Sequence, residues 1–238
     1  MINYYLKYML VLLMLNVLAI AQDSHVFTQV ARTTDYGYAY GIDVGTDGTV
    51  FLANGDGGLR AYSYDGSSFI NTAHIDDIEK TLHVSVGLDG TVFLAGWGGL
   101  RAYSYDGSSF SNTAQLDGGE AISGLAVSSD GTVFLTNRFN GLYAYNYDGS
   151  SFTNIAHIND GGQANGVCVG PDGTVFLANG TDGLRAYSYD GSSFTNTAQI
   201  DADGGYDVAV GSDGTVFLIT NIEGYGHLLA YSYDGSSF

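Results

Sequence analysis

Asp43 is the residue of this chain whose placing most invites chemistry. It interrupts the apolar run Gly41-Ile42-Asp43-Val44, at a position that recurs elsewhere in the chain as Ser85, Ala126, Cys168 and Ala209. Together with Glu120 or Asp207 it could form the carboxylate pair that glycoside hydrolysis needs, one group as acid and one as base or nucleophile. A satisfied polar residue in a wet channel accounts for it equally well. Cys168 is the only cysteine and lies between Val167 and Val169. With no accompanying His or Asn pattern, it reads as a buried small hydrophobe rather than a nucleophile. The five histidines (His25, His74, His83, His157 and His227) show no zinc spacing. Asp201-Ala202-Asp203-Gly204 and Asn54-Gly55-Asp56-Gly57 cluster oxygen ligands without completing a calcium loop, so weak calcium binding is the most that they suggest. No nucleophile motif or cofactor loop is present. The expectation is therefore a protein that is not an enzyme, with no catalytic residue, no resident metal and no cofactor.

The elements that would carry these residues are set by a repeat. Thr-Val-Phe-Leu begins at Thr49, Thr91, Thr132, Thr174 and Thr215, in steps of 42, 41, 42 and 41 residues. Tyr-Asp-Gly-Ser-Ser-Phe begins at Tyr64, Tyr105, Tyr147, Tyr189 and Tyr233. Within one copy, Gly41–Val44, Thr49–Ala53, Leu59–Tyr64 and Ser68–Ile75 read as short strands separated by Asp-Gly turns, a strong hairpin signal. No window carries a 3.6-residue apolar period over helical length, which excludes a helical solenoid. Four short strands per unit match one propeller blade. The predicted fold is all-β, a five-bladed β-propeller of four-stranded antiparallel blades. The last copy stops at Phe238, the counterpart of Phe69, and Phe27–Thr33 aligns with Phe69–Ile75. The N-terminal strand is thus expected to complete the C-terminal blade and close the ring. The competing reading is a piece of a longer array.

Composition agrees with strands and tight turns: 35 Gly, 19 Tyr and 12 Phe against one Pro in 238 residues. The formal charge of −18 makes nucleic acid an improbable partner, because such a surface repels phosphates. Residues 1–21 read as a signal peptide, with Lys7 ahead of the apolar stretch Met9–Ile20 and a small-x-small site at Ala19-Ile20-Ala21. The stretch is short for a membrane span, so no membrane insertion is expected after cleavage. Residues 22–238 would form the propeller, secreted or held at the cell surface (periplasmic in a Gram-negative bacterium) and monomeric. A lone cysteine leaves no intrachain disulfide to hold an exported fold.

The segments Gly37-Tyr38-Ala39-Tyr40-Gly41-Ile42-Asp43-Val44 and Phe51-Leu52-Ala53-Asn54-Gly55-Asp56-Gly57-Gly58-Leu59-Arg60 resemble units of the LVIVD-repeat family. Ala61-Tyr62-Ser63-Tyr64-Asp65-Gly66 departs from that family's Ile-Asp-rich segment. The resemblance implies an exported propeller and carries no catalytic residues.

The copies differ mainly in the loop after each second strand and in the connection into each first strand. Strand alternation puts both at one end of the sheets, so in a propeller they share one face of the disk. Loops on a rigid scaffold are where binding residues gather. The ligand-binding candidates on this varied face are Tyr38, Trp97, Phe139 and Tyr225 as aromatic platforms, with His83, Glu120, Arg138 and Asp182 as polar contacts. Arg60, Arg101 and Arg185 recur at one position and are expected to pack their stems beside Tyr rings. The expected function is a secreted, non-enzymatic recognition propeller whose partner is a carbohydrate or a protein. The alternatives are an adhesion module without a discrete ligand and a glycoside hydrolase-like enzyme using the axial carboxylate Asp43.

Overall fold

The computed structural model describes residues 28–117, 122–201, 204–222 and 224–238. The signal-peptide stretch, Phe27 and Glu120 lie outside the described residues. Among the described residues, nineteen antiparallel strands form five sheets. Blade 1 holds β1 (Gly41–Val44), β2 (Val50–Ala53), β3 (Leu59–Tyr64) and β4 (Phe69–Ile75). Blade 2 holds β5 (Thr81–Val86), β6 (Val92–Gly96), β7 (Gly99–Tyr105) and β8 (Phe110–Leu116). Blade 3 holds β9 (Ile122–Val127), β10 (Val133–Asn137), β11 (Gly141–Tyr147) and β12 (Phe152–Ile158). Blade 4 holds β13 (Gly166–Val169), β14 (Val175–Ala178), β15 (Leu184–Tyr189) and β16 (Phe194–Ile200). Blade 5 holds β17 (Gly205–Val210), β18 (Val216–Ile222) and β19 (Tyr225–Tyr231). The strands pair in chain order within each blade, and the whole is the five-bladed β-propeller that the repeat predicts.

The invariant turns explain why each unit folds the same way. Asp47 accepts from the Thr49 N–H and hydroxyl at 2.9 Å each, while Gly48 takes φ 85°, which a side chain would strain. Asp65 accepts from the Ser67 and Ser68 N–H groups at 2.8 and 2.7 Å and from both their hydroxyls at 2.9 Å. Four apolar clusters lie between successive blades. The first sets Phe51, Ala53, Leu59 and Ala61 of blade 1 against Val84, Val92 and Leu94 of blade 2. The last sets Phe176, Ala178, Leu184 and Ala186 against Val208, Val216 and Leu218. Burying such layers is the main stabilising term in a fold with no disulfide.

Among the described residues Thr28–Thr33 forms no strand and blade 5 holds three strands, while Phe27, where the expected closing strand begins, lies outside them. The N-terminal segment is instead tied to blade 1, where the Asp35 carboxylate accepts from the Tyr62 hydroxyl and pairs with Arg60 at 3.5 Å. Asp77 with Tyr103, and Asp160 with Tyr187, hold the same place in later blades. A segment anchored there stands on blade 1, and among the described residues no comparable packing joins β17 or β18 to β1 or β2. The recurring arginines, expected to pack their stems, also make ion pairs: Arg101 with Asp117 at 2.8 Å, and Arg185 with Asp182 at 3.3 Å and Asp160 at 3.8 Å.

Candidate active site

In blades 1–4 the first strand packs on the first strand of the next blade, so β1, β5, β9, β13 and β17 follow one another along the inner edge of the blades. Pairing with the second strands aligns them into levels. Asp43, Ser85, Ala126, Cys168 and Ala209 lie opposite Phe51, Phe93, Phe134, Phe176 and Phe217. Two residues nearer the varied face, Gly41, His83, Gly124, Gly166 and Asp207 form a second level.

Three members of that second level are glycine because the strands approach too closely for a side chain. A Cβ on Gly41 would stand 2.8 Å from the Leu82 carbonyl oxygen, and one on Gly124 3.0 Å from that of Asn165. On Gly166 it would stand 2.4 Å from Asp207 Oδ1 and 2.9 Å from the Asp207 Cα. Functional side chains at this level therefore come only from His83 and Asp207. Burial pushes the His83 imidazole below its ordinary pKa, and the negative charge of Asp207 pulls it partly back. His83 is thus a neutral base at pH 7, held within electrostatic reach of a carboxylate. Asp207 is exposed, and its Oδ1 accepts from the Val208 N–H at 2.9 Å.

Asp43 is not available in the same way. Its Oδ1 accepts from the Val44 N–H at 2.7 Å and its Oδ2 from the Val86 N–H at 2.8 Å, so both oxygens serve the backbone and tie blade 1 to blade 2. The Cys168 thiol is half-buried and pushed up to about 12, first by burial and then by the Asp207 charge. It stays protonated and is no nucleophile.

The varied-face candidates do not converge on one place. Trp97 is half exposed and stacks under a cation, with Lys80 Nζ 4.7 Å from its ring centroid and 5.5 Å from that of Tyr40. Tyr38 is exposed, with its ring 6.5 Å from Tyr40. Arg138 donates from Nε to Gln163 Oε1 at 2.9 Å and lies 5.6 Å from the Phe139 ring. Asp182 is engaged by Arg185 at 3.3 Å, and Tyr225 opens β19 on blade 5. Sequence reasoning missed Lys80. Its signal was available, since it is the only lysine after Lys7, and the structure adds a positive φ of 42° that no other described non-glycine residue shows. Among the described residues no group of three or more His, Cys, Asp or Glu side chains is placed to hold a metal ion.

No protein-family model matches the chain, and none of the curated proteins matches it. Solved structures do. A gluconolactonase from Xanthomonas campestris is similar with a TM-score of 0.56 at 17% identity, covering 77% of this chain and 69% of its own. Virginiamycin B lyase from Staphylococcus aureus is similar with a TM-score of 0.63 at 15% identity, covering 84% of this chain and 71% of its own. Sqt1 of Chaetomium thermophilum, solved with the N-terminus of ribosomal protein L10, gives 0.64 at 15% identity, covering 80% of this chain and 58% of its own. At these identities the likeness is one of fold. It still overturns the expectation of a non-enzymatic recognition propeller, because that expectation rested on the lack of a linear catalytic motif. Enzymes stand among the propellers similar to this chain, and a propeller can draw its catalytic groups from separate blades at the axis, where no linear motif would record them.

Proposed function

We propose that this chain is a hydrolase of small cyclic esters, with sugar-acid lactones as the substrate class, acting at the His83–Asp207 level of the channel. The observation that carries the reading is a half-buried imidazole and a carboxylate at one axial level otherwise built of glycine, with burial lowering the imidazole pKa and the carboxylate charge acting on it. The gluconolactonase named above, as a protein of similar fold, supports the choice of substrate class.

In this reading His83 takes a proton from a water molecule as the water oxygen attacks the ester carbonyl carbon. The Asp207 charge stabilises the imidazolium that results. The tetrahedral intermediate collapses by breaking the ring C–O bond, and the imidazolium returns its proton to the departing alkoxide, leaving a hydroxy acid. The half-exposed Trp97 ring and the Tyr38 ring offer apolar faces on which a sugar ring can stack at the channel mouth. The acidic surface of the protein repels the carboxylate product and favours its release.

The test is hydrolysis of glucono-δ-lactone in a pH-stat, set against the uncatalysed rate. Turnover is expected for the native chain, and His83→Gln should lose on the order of 10²-fold or more in kcat while staying folded. No turnover with any sugar lactone, or full activity in His83→Gln, would overturn the reading. The chain is also proposed to be exported, on the strength of the Met9–Ile20 stretch; a mature N-terminus at Gln22 would support this. Descent of the repeat from LVIVD-type units remains a proposal resting on the Gly37–Val44 and Phe51–Arg60 segments.

A further inference from the structure

Lys80 is a cation held in place by backbone bonds and aromatic rings rather than by a carboxylate. Arg60, Arg101 and Arg185 each pair with an aspartate, whereas the Lys80 ammonium makes no ion pair or hydrogen bond among the described residues. The segment that carries it is fixed to two blades. The buried Thr81 exchanges N–H···O bonds with Gly55 of blade 1 at 3.1 and 3.2 Å, and its hydroxyl is shared by the Gly55 and Gly58 carbonyls. On blade 2, the Trp97 and Gly98 N–H groups donate to the Lys80 and Glu79 carbonyls at 3.3 Å each. A Cβ on Gly96 would stand 2.2 Å from the Lys80 carbonyl oxygen, so the approach is too close for a side chain there. These bonds hold Lys80 at φ 42°, a conformation that a side chain makes costly. They also bring its ammonium to 4.7 Å from the Trp97 ring centroid and 5.5 Å from that of Tyr40.

We propose that Lys80, Trp97 and Tyr40 form a subsite for the carboxylate of an acidic sugar, so that the preferred substrates are lactones of sugar diacids, which keep a free carboxylate. The link to catalysis rests on the hydrolase reading above; the anion subsite rests on the Lys80 cluster alone. The Trp97 ring offers an apolar face for a sugar ring, and the ammonium beside it can pair with a carboxylate carried by that ring. Its two aromatic neighbours hold the ammonium by their ring quadrupoles, so little side-chain freedom is lost when the anion arrives. The subsite adjoins the reaction level, since Tyr40 precedes Gly41, whose Cβ would stand 3.1 Å from the His83 Cα. The acidic surface does not prevent capture. Charges farther off than about 8–10 Å are largely screened at physiological salt, whereas a contacting ammonium is not. Ring opening then adds a second carboxylate at the level of Asp207, whose like charge favours release of the diacid.

The experiment is calorimetric titration of the full chain with glucuronate and with glucose, which needs no turnover. Trp97 is the only tryptophan, so its fluorescence, followed in parallel, reports where the sugar sits. The native chain should bind glucuronate about tenfold more tightly than glucose, and less tightly as salt is raised. Lys80→Met keeps an apolar stem without the charge and should lose about tenfold in glucuronate affinity, while Lys80→Arg should retain it. Lys80→Met should also raise KM for the monolactone of glucaric acid about tenfold more than that for glucono-δ-lactone. No glucuronate binding, equal affinity for glucose, binding that salt leaves unchanged, or full affinity in Lys80→Met overturns the subsite. The salt and glucose comparisons decide the matter in the native chain even where Lys80→Met fails to fold. An equal rise in KM for the two lactones overturns the substrate preference. Glucuronate binding that Lys80→Met weakens, with no lactone turned over, upholds the subsite and overturns the hydrolase reading alone.

Discussion

The Thr72 hydroxyl on the outer strand of blade 1 and the Tyr105 hydroxyl on the third strand of blade 2 form a hydrogen bond of 2.5 Å. Thr113 with Tyr147, and Thr197 with Tyr233, repeat it across two further joints. Between blades 3 and 4 the threonine is replaced by Ile155, and the Tyr189 hydroxyl is buried without a partner. Removing a bonded hydroxyl should cost more than removing an orphaned one. Tyr105→Phe is expected to lower stability by about 1 kcal/mol, whereas Tyr189→Phe should be neutral or stabilising. Urea denaturation of the two variants compares them directly.

Acid should weaken the fold in a defined window. In the Asp-Gly-Ser-Ser turns, backbone N–H and hydroxyl donors hold Asp106, Asp148, Asp190 and Asp234 down to about 2, and Asp65 lower still. A carboxylate depressed in the native state contributes stability above its unfolded pKa near 4 and loses it as the pH falls through the native value. The urea midpoint should therefore fall between about pH 4 and pH 2, and Asp106→Asn should make the fall shallower. A midpoint that does not change over that range would show that these turns do not couple to folding.

Gly166 is a sensitive position. A Cβ there would meet Asp207 backbone as well as its carboxylate, and backbone cannot swing aside. Gly166→Ala should cost about 1–3 kcal/mol by overpacking and displace Asp207 from the axial level that it shares with His83. On the account given above, lactone turnover should fall with it. Thermal melting and turnover, measured on the same sample, separate the two effects.

Much of the fold was legible because each blade is built by local signals. The Asp-Gly-Thr and Asp-Gly-Ser-Ser turns and the alternating apolar runs mark nearly every strand within a residue or two. The close approach of the inner strands at Gly41, Gly124 and Gly166 was not legible, since no turn motif records it. The candidate site was legible only in part. His83 stood out as a polar contact of the varied face and Asp207 as a carboxylate partner for Asp43, but they lie on blades 2 and 5 and no local pattern links them. Asp43 looked more promising because its isolation in an apolar run was visible, while its two backbone partners, one of them on the next blade, were not.

The pH dependence of kcat/KM for sugar-lactone hydrolysis, in the native chain and in Asp207→Asn, tests the site most directly. His83 must be neutral to accept a proton, and burial lowers its pKa, so the acid limb should have its midpoint below 6.5. Removing the Asp207 charge removes what favours the imidazolium, so in Asp207→Asn the limb should move to still lower pH. A limb that stays in place in Asp207→Asn, or an activity that does not fall in acid, would contradict the assignment of His83 as the base.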